Sequence, residues 1–167
     1  MKIECTLSAA SIASAVEQLK QYAESLEKKS EKLVQSLGDF GADCAANYLG
    51  HFDTGETLNS IAFTQNRAEG NVSVAGNAVW IEFGTGVLAN AGNAPHPKKD
   101  ELGMSSWGEY GHGYGKGVWE FPSKEYGWGM PIPTKGIPMN QFMYHSAQDM
   151  RREMQRIAKE VFRDDRR

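Results

Sequence analysis

Apolar side chains recur at steps of three, four or seven from residue 12 to residue 44. They are Ile12, Val16, Leu19, Ala23, Leu26, Leu33, Leu37, Phe40 and Cys44. That spacing draws one apolar stripe down a helix, with Gln18, Lys20, Glu31 and Lys32 on its polar side. Ser14 and Glu17 have the spacing of a capping box, and Ser8 and Ser11 offer earlier starts. Gly38 costs about 1 kcal/mol relative to Ala inside a helix, so a kink or break is expected there. A second helical stretch then runs to about Leu49. The stripe also fits a heptad, but Ala23 and Ser30 at seam positions make a weak coiled coil. Packing on a sheet is the favoured reading.

From Thr57 to Phe83 the period shortens to two. Leu58, Ser60, Ala62 and Thr64 alternate with Asn59, Ile61, Phe63 and Gln65. Ala68-Glu69-Gly70-Asn71 has the composition of a turn, and Val72-Ser73-Val74-Ala75 resumes the extended pattern, which predicts a β-hairpin. Trp80-Ile81-Glu82-Phe83 reads as a further extended segment ending at Gly84-Thr85-Gly86. Short strands are also expected at Ile3 to Leu7 and at Val118-Trp119-Glu120-Phe121. A last helix spans about Asn140 to Phe162. Met143, Ala147, Met150, Met154, Ile157 and Val161 form its apolar face, and Arg151, Arg152, Gln155, Arg156, Lys159 and Arg163 its wet one. The order predicts an α+β fold: a long N-terminal helix and a C-terminal helix packed on a small antiparallel β-sheet.

Glycine and proline break this pattern in one place. Twelve of the 18 glycines lie in 84–136, all six prolines lie between residues 95 and 138, and Trp107, Trp119 and Trp128 are there too. Such a stretch disfavours long helices and central strands, and its aromatics distinguish it from a flexible linker. The 167 residues therefore read as one domain, 1–167, with a core at about 8–86 and 134–163 and an inserted arm at about 87–133. The arm is either a long contact loop or a loop folded back on its own domain.

Charge is uneven as well. Residues 1–83 net −5, residues 84–136 net 0 and residues 137–167 net +2, for −3 overall. Ends of opposite sign favour head-to-tail contact between copies, or simply two solvated faces. An acidic chain without a basic stripe argues against a dedicated nucleic-acid or anionic-membrane binder. No apolar run approaches the ~18 residues of a membrane span, and the start lacks the apolar core of a signal peptide. Cys5 and Cys44 form no CxxC pair and read as reduced thiols.

Catalytic patterns are sparse. His51, His96, His112 and His145 show no HxH or HExxH spacing, so no metal or other cofactor is expected. His96, between Pro95 and Pro97, reads as a loop residue. Ser105 and Ser106 lie in the arm and Cys44 on a helical stripe, none in a nucleophile elbow. Gly111-His112-Gly113-Tyr114-Gly115-Lys116-Gly117 invites a phosphate-loop reading. Tyr110 stands where that loop needs Gly, and Gly117 where it needs Ser or Thr. No enzyme is expected; a small metal-dependent hydrolase using His51, Asp53 or His112 is a rival of another class, and a host-interaction module using the arm is a third.

Three motifs in order carry a resemblance. Asp53-Thr54-Gly55-Glu56-Thr57-Leu58-Asn59-Ser60-Ile61 comes first, Ala78-Val79-Trp80-Ile81-Glu82-Phe83-Gly84-Thr85-Gly86 second, and Thr134-Lys135-Gly136-Ile137-Pro138-Met139-Asn140-Gln141-Phe142-Met143 third. Over about residues 10–162 the chain resembles the tailed-phage family typified by gene product 10 of phage HK97. That family is described as tail-completion, head–tail connection or minor tail proteins. Two departures stand out: Leu58 falls one position later than the family's Leu, and Gln141 replaces its usual proline. The resemblance implies a structural virion protein of the neck, present in the host cytoplasm during assembly. It implies a homo-oligomeric ring of about six copies. Its partners would be a head connector or head-completion protein and the tail tube or terminator, with genome DNA passing through without specific binding and no membrane contact. Tail termination is the alternative role. Thr54, Gly55, Ser60, Trp80, Glu82, Phe83, Gly84, Thr85, Gly86, Gly136, Pro138 and Phe142 are the expected turn and interaction residues, joined by arm aromatics Trp107, Tyr110, Tyr114, Trp119 and Trp128. The glycines permit sharp turns that bring the arm's two ends together.

Overall fold

The structure, a computed structural model of the 167-residue chain, describes residues 6, 8–50, 55–85, 88, 96–102, 119–122 and 131–163. Its first element, α1 (Ala9–Leu49), is a single helix of 41 residues. Ser8 caps it, in extended conformation, by accepting the Ser11 N–H on its hydroxyl at 3.2 Å. The start is therefore earlier than the Ser14–Glu17 spacing allows. The predicted break at Gly38 does not occur. A Cβ there would lie 2.1 Å from the Phe63 ring, so glycine is present to let that ring sit against the helix backbone. Half-burying the Phe63 ring there offsets at least part of glycine's poor helix propensity.

The hairpin follows a short helix, α2 (Glu56–Asn59), where an extended segment was expected at Leu58–Ser60. Ser60 closes that turn by donating its hydroxyl to the Thr57 carbonyl at 2.7 Å, and accepts the Ala75 N–H at 2.9 Å. β1 (Ala62–Asn66) and β2 (Glu69–Ser73) then pair antiparallel, Phe63 opposite Val72. The turn sits at Arg67–Ala68, earlier than the expected Ala68-Glu69-Gly70-Asn71. Gly70 is instead a second platform for the Phe63 ring, 2.6 Å from a Cβ built there. The hairpin is fastened to α1 by Gln65, whose amide donates to the Glu31 carbonyl at 2.7 Å.

Next comes α3 (Ala78–Phe83), a helix where an extended segment was predicted. The Asn77 carbonyl accepts from Trp80 at 3.0 Å and Ile81 at 3.1 Å, and Gly84 (φ 70°, ψ 170°) ends the turn. Helical winding lets Ala78, Ile81 and Glu82 all become buried, which alternation would forbid. β3 (Trp119–Pro122) lies one residue later than expected and pairs antiparallel with β4 (Pro131–Thr134). Pro131 and Pro133 hid β4 in the sequence; a two-stranded ribbon has only edges, where proline is tolerated.

The last helix, α4 (Phe142–Arg163), runs antiparallel to α1. Tyr48 donates to Asp149 at 2.7 Å, Ser146 donates to the Gly41 carbonyl at 2.6 Å, and Lys29 lies over the Phe162 ring at 5.9 Å. Its predicted wet face is exposed. Its buried face differs in part: Phe142 and Ser146 enter it, while Met154 is 49% exposed. Ala45, Leu49, Ala78, Ile81 and Phe142 form the core where α1, α3 and α4 meet. The architecture is thus α+β, with long first and last helices packed with a small antiparallel hairpin. The expected Ile3–Leu7 strand falls outside the described residues.

Candidate functional site

Glu82 is the centre of the site. It sits on α3 with its side chain buried. A buried carboxylate is costly unless paired and hydrogen-bonded, and Glu82 has three donors. Oε2 accepts the Met143 N–H at 2.8 Å, and Oε1 accepts the Tyr144 N–H at 3.0 Å. These are first-turn amides of α4, which lack intrahelical acceptors, and the positive end of the helix dipole favours the charge. The third donor is His96, whose Nε2 lies 2.8 Å from Oε1.

His96 is 5% exposed. Its Nδ1 accepts the Lys98 N–H at 3.1 Å, which leaves the proton on Nε2 to donate to Glu82. The ring packs against Phe83 at 4.5 Å and Tyr144 at 5.4 Å between centroids. Segment 96–102 is thereby docked on the core; Lys98 and Glu101 form an exposed ion pair within it.

The second and third motifs meet here through their backbones as well. Ile81 and Glu82 carbonyls accept from Asn140 at 2.9 Å and Gln141 at 3.2 Å. Thr85 and Ile137 bond twice: the Thr85 N–H to the Ile137 carbonyl at 2.8 Å, and the Ile137 N–H to the Thr85 hydroxyl at 2.9 Å. Leu88 N–H reaches the Lys135 carbonyl at 3.1 Å. Thr85 and Leu88, near one end of the predicted arm, therefore lie beside Ile137 and Lys135, near the other. Gly84 and Gly136 (φ 91°) hold the positive φ expected of these turns.

The other expected residues sort as follows. Phe142 is fully buried core rather than a contact surface, and Trp80 is half-buried on α3. Gly55 precedes α2 with φ 101°, and Pro138 lies four residues ahead of α4. Trp119 is in β3. Thr54, Gly86, Trp107, Tyr110, Tyr114 and Trp128 lie outside the described residues, as do His51, Asp53 and His112. His96 and Ile137 were missed. A histidine between prolines signals only a loop, and its partner is fourteen positions away.

A pocket of about 420 Å³ opens beside the clamp, walled by Val74, Val79, Phe83, Leu102 and Met143, with Arg151 at its edge. Its chemistry is limited. Both His96 nitrogens are engaged, leaving no lone pair for a substrate proton. Among the described residues, no three His, Cys, Asp or Glu side chains converge as metal ligands. Cys44 is a poor nucleophile, because burial, followed by the charges of Asp149, Asp43 and Glu153, pushes its thiol pKa up. The arrangement can hold elements together and offer an apolar surface. No protein-family model matches the chain, and neither curated proteins nor solved structures gave a match to it.

Proposed function

We propose that the chain is a structural protein of a tailed-phage particle. It works at the head–tail junction, completing the tail or joining it to the head as a ring of about six copies. The observation that carries this reading is the clamp. The second and third motifs of the resemblance, more than fifty residues apart, bond to each other through Thr85 and Ile137. The intervening glycine- and aromatic-rich stretch is thus rooted at one point of a helical body. Aromatic residues offered from such a root suit contact with a neighbouring copy or with the tail, since Trp and Tyr dominate interface energetics. The body supplies packing, and the role needs no catalytic group. The protein would accumulate in the host cytoplasm and end in the neck of the virion, with genome DNA passing without specific binding.

The test is made on particles. The gene is deleted from the source phage or prophage, and induced lysates are imaged by negative-stain electron microscopy. Filled heads beside separate tails of normal length are expected. Detached tails of irregular length would assign tail termination instead. Intact, infectious particles would overturn the neck role.

A further inference from the structure

The first half of α1 carries an apolar seam that is exposed among the described residues. Ile12, Val16 and Leu19 are 47%, 46% and 54% exposed. Yet they belong to the same alternating three- and four-residue stripe that meets α4 further along. Near the end of α4, Phe162 lies against Lys29. Residues 9–28 therefore overhang by about 30 Å, at ~1.5 Å per residue. Exposed aliphatics in line on one helix face mark an interaction surface.

We propose that this overhang pairs with the same segment of a second copy as a short antiparallel coiled coil. The first support is continuity. Farther along, the seam residue Phe40 borders a groove shared with Ile157 and Val161 of α4, so an antiparallel helix already faces this side of α1. The second is size. In one antiparallel alignment Leu19 faces the partner's Val16, Ile12 faces the partner's Ala23, and Leu26 faces the partner's Ala9. The smaller residues that weaken a seam of like against like here face larger ones, which keeps its width even. Parallel pairing is disfavoured, because it would bring both bodies to one end, where each α4 already fills the seam.

Sedimentation of the full chain at about 10–100 µM tests this. A dimer of the 18.4 kDa chain is expected. Val16→Glu with Leu19→Glu should raise its dissociation constant at least about a hundredfold, since a symmetric pair loses each contact twice. Far-UV circular dichroism of the body should persist, and Gln21→Glu, on the opposite face, should leave the dimer intact. Direction is read by disulfide trapping on a Cys5→Ser, Cys44→Ala background. Mixing an Ile12→Cys chain with an Ala23→Cys chain should give the crossed heterodimer. A monomer across that range, an oligomer whose mass the double substitution leaves unchanged, or preferential Ile12→Cys self-crosslinking would each overturn the inference. It stands apart from the neck role: a dimer in a phage that assembles normally without the gene would sink that role alone.

Discussion

At the scale of single residues, Glu82 does the work that two separate caps would otherwise share. It closes the start of α4 and fixes the buried His96 ring. Glu82→Ala strands two amides and an imidazole N–H without acceptors. A loss of about 3 kcal/mol is expected, read as a fall in melting temperature of about 6–12 °C for a chain of this length. Glu82→Gln should fall between the two, since an amide oxygen accepts but carries no charge. Gly38 offers a sharper test, because helix propensity and packing disagree about its sign. Propensity says Gly38→Ala stabilises by about 1 kcal/mol. The Phe63 ring lies where the methyl would go, so a net loss of about 1–3 kcal/mol is expected from urea unfolding. Pairing it with Phe63→Leu should recover part of that loss. The second motif led to Glu82, whereas the need for glycine at position 38 depends on a residue 25 positions away.

At the scale of elements, α4 owes its start to its neighbours more than to its own first residues. Gln141, just ahead of it, has φ 58°, a left-handed conformation unusual for a side-chain-bearing residue, while its N–H bonds the Glu82 carbonyl. Proline at this place would be held near −65° and would lack the N–H. Gln141→Pro is therefore expected to destabilise by about 3 kcal/mol or more, visible in chemical denaturation. Gln141→Gly should gain about 0.5–1 kcal/mol by relieving the conformation. In α3, six residues are too few for periodicity to separate helix from strand, and burial of Glu82 decided the matter.

At the scale of the whole molecule, α1 is two things in series. Its second half is sandwiched by α4 and the hairpin; its first half has apolar residues open to solvent. Local stability should follow that division. In the Val16→Glu, Leu19→Glu chain, amides of residues 12–26 are expected to exchange with deuterium at least about a hundredfold faster than those of residues 38–49. Uniform protection along α1 would show that the body stabilises the overhang from a distance. Hydrogen bonds around Glu82 and Thr85 tie residues 81, 82, 85 and 88 to residues 135, 137, 140, 141, 143 and 144.

Side-chain spacing was enough to specify the long first helix, the hairpin, the last helix with its wet face, and the α+β class, because each rests on a period set locally along the chain. The sequence also marked Gly84 and Gly136 as turns, because positive φ is a property of the residue. Only the tertiary structure decided that α3 is helical, that Gly38 is a contact rather than a break, and that His96 belongs to the core. Those outcomes depend on partners distant in the chain, and no local pattern encodes where a buried ring or carboxylate will find its acceptor or donor.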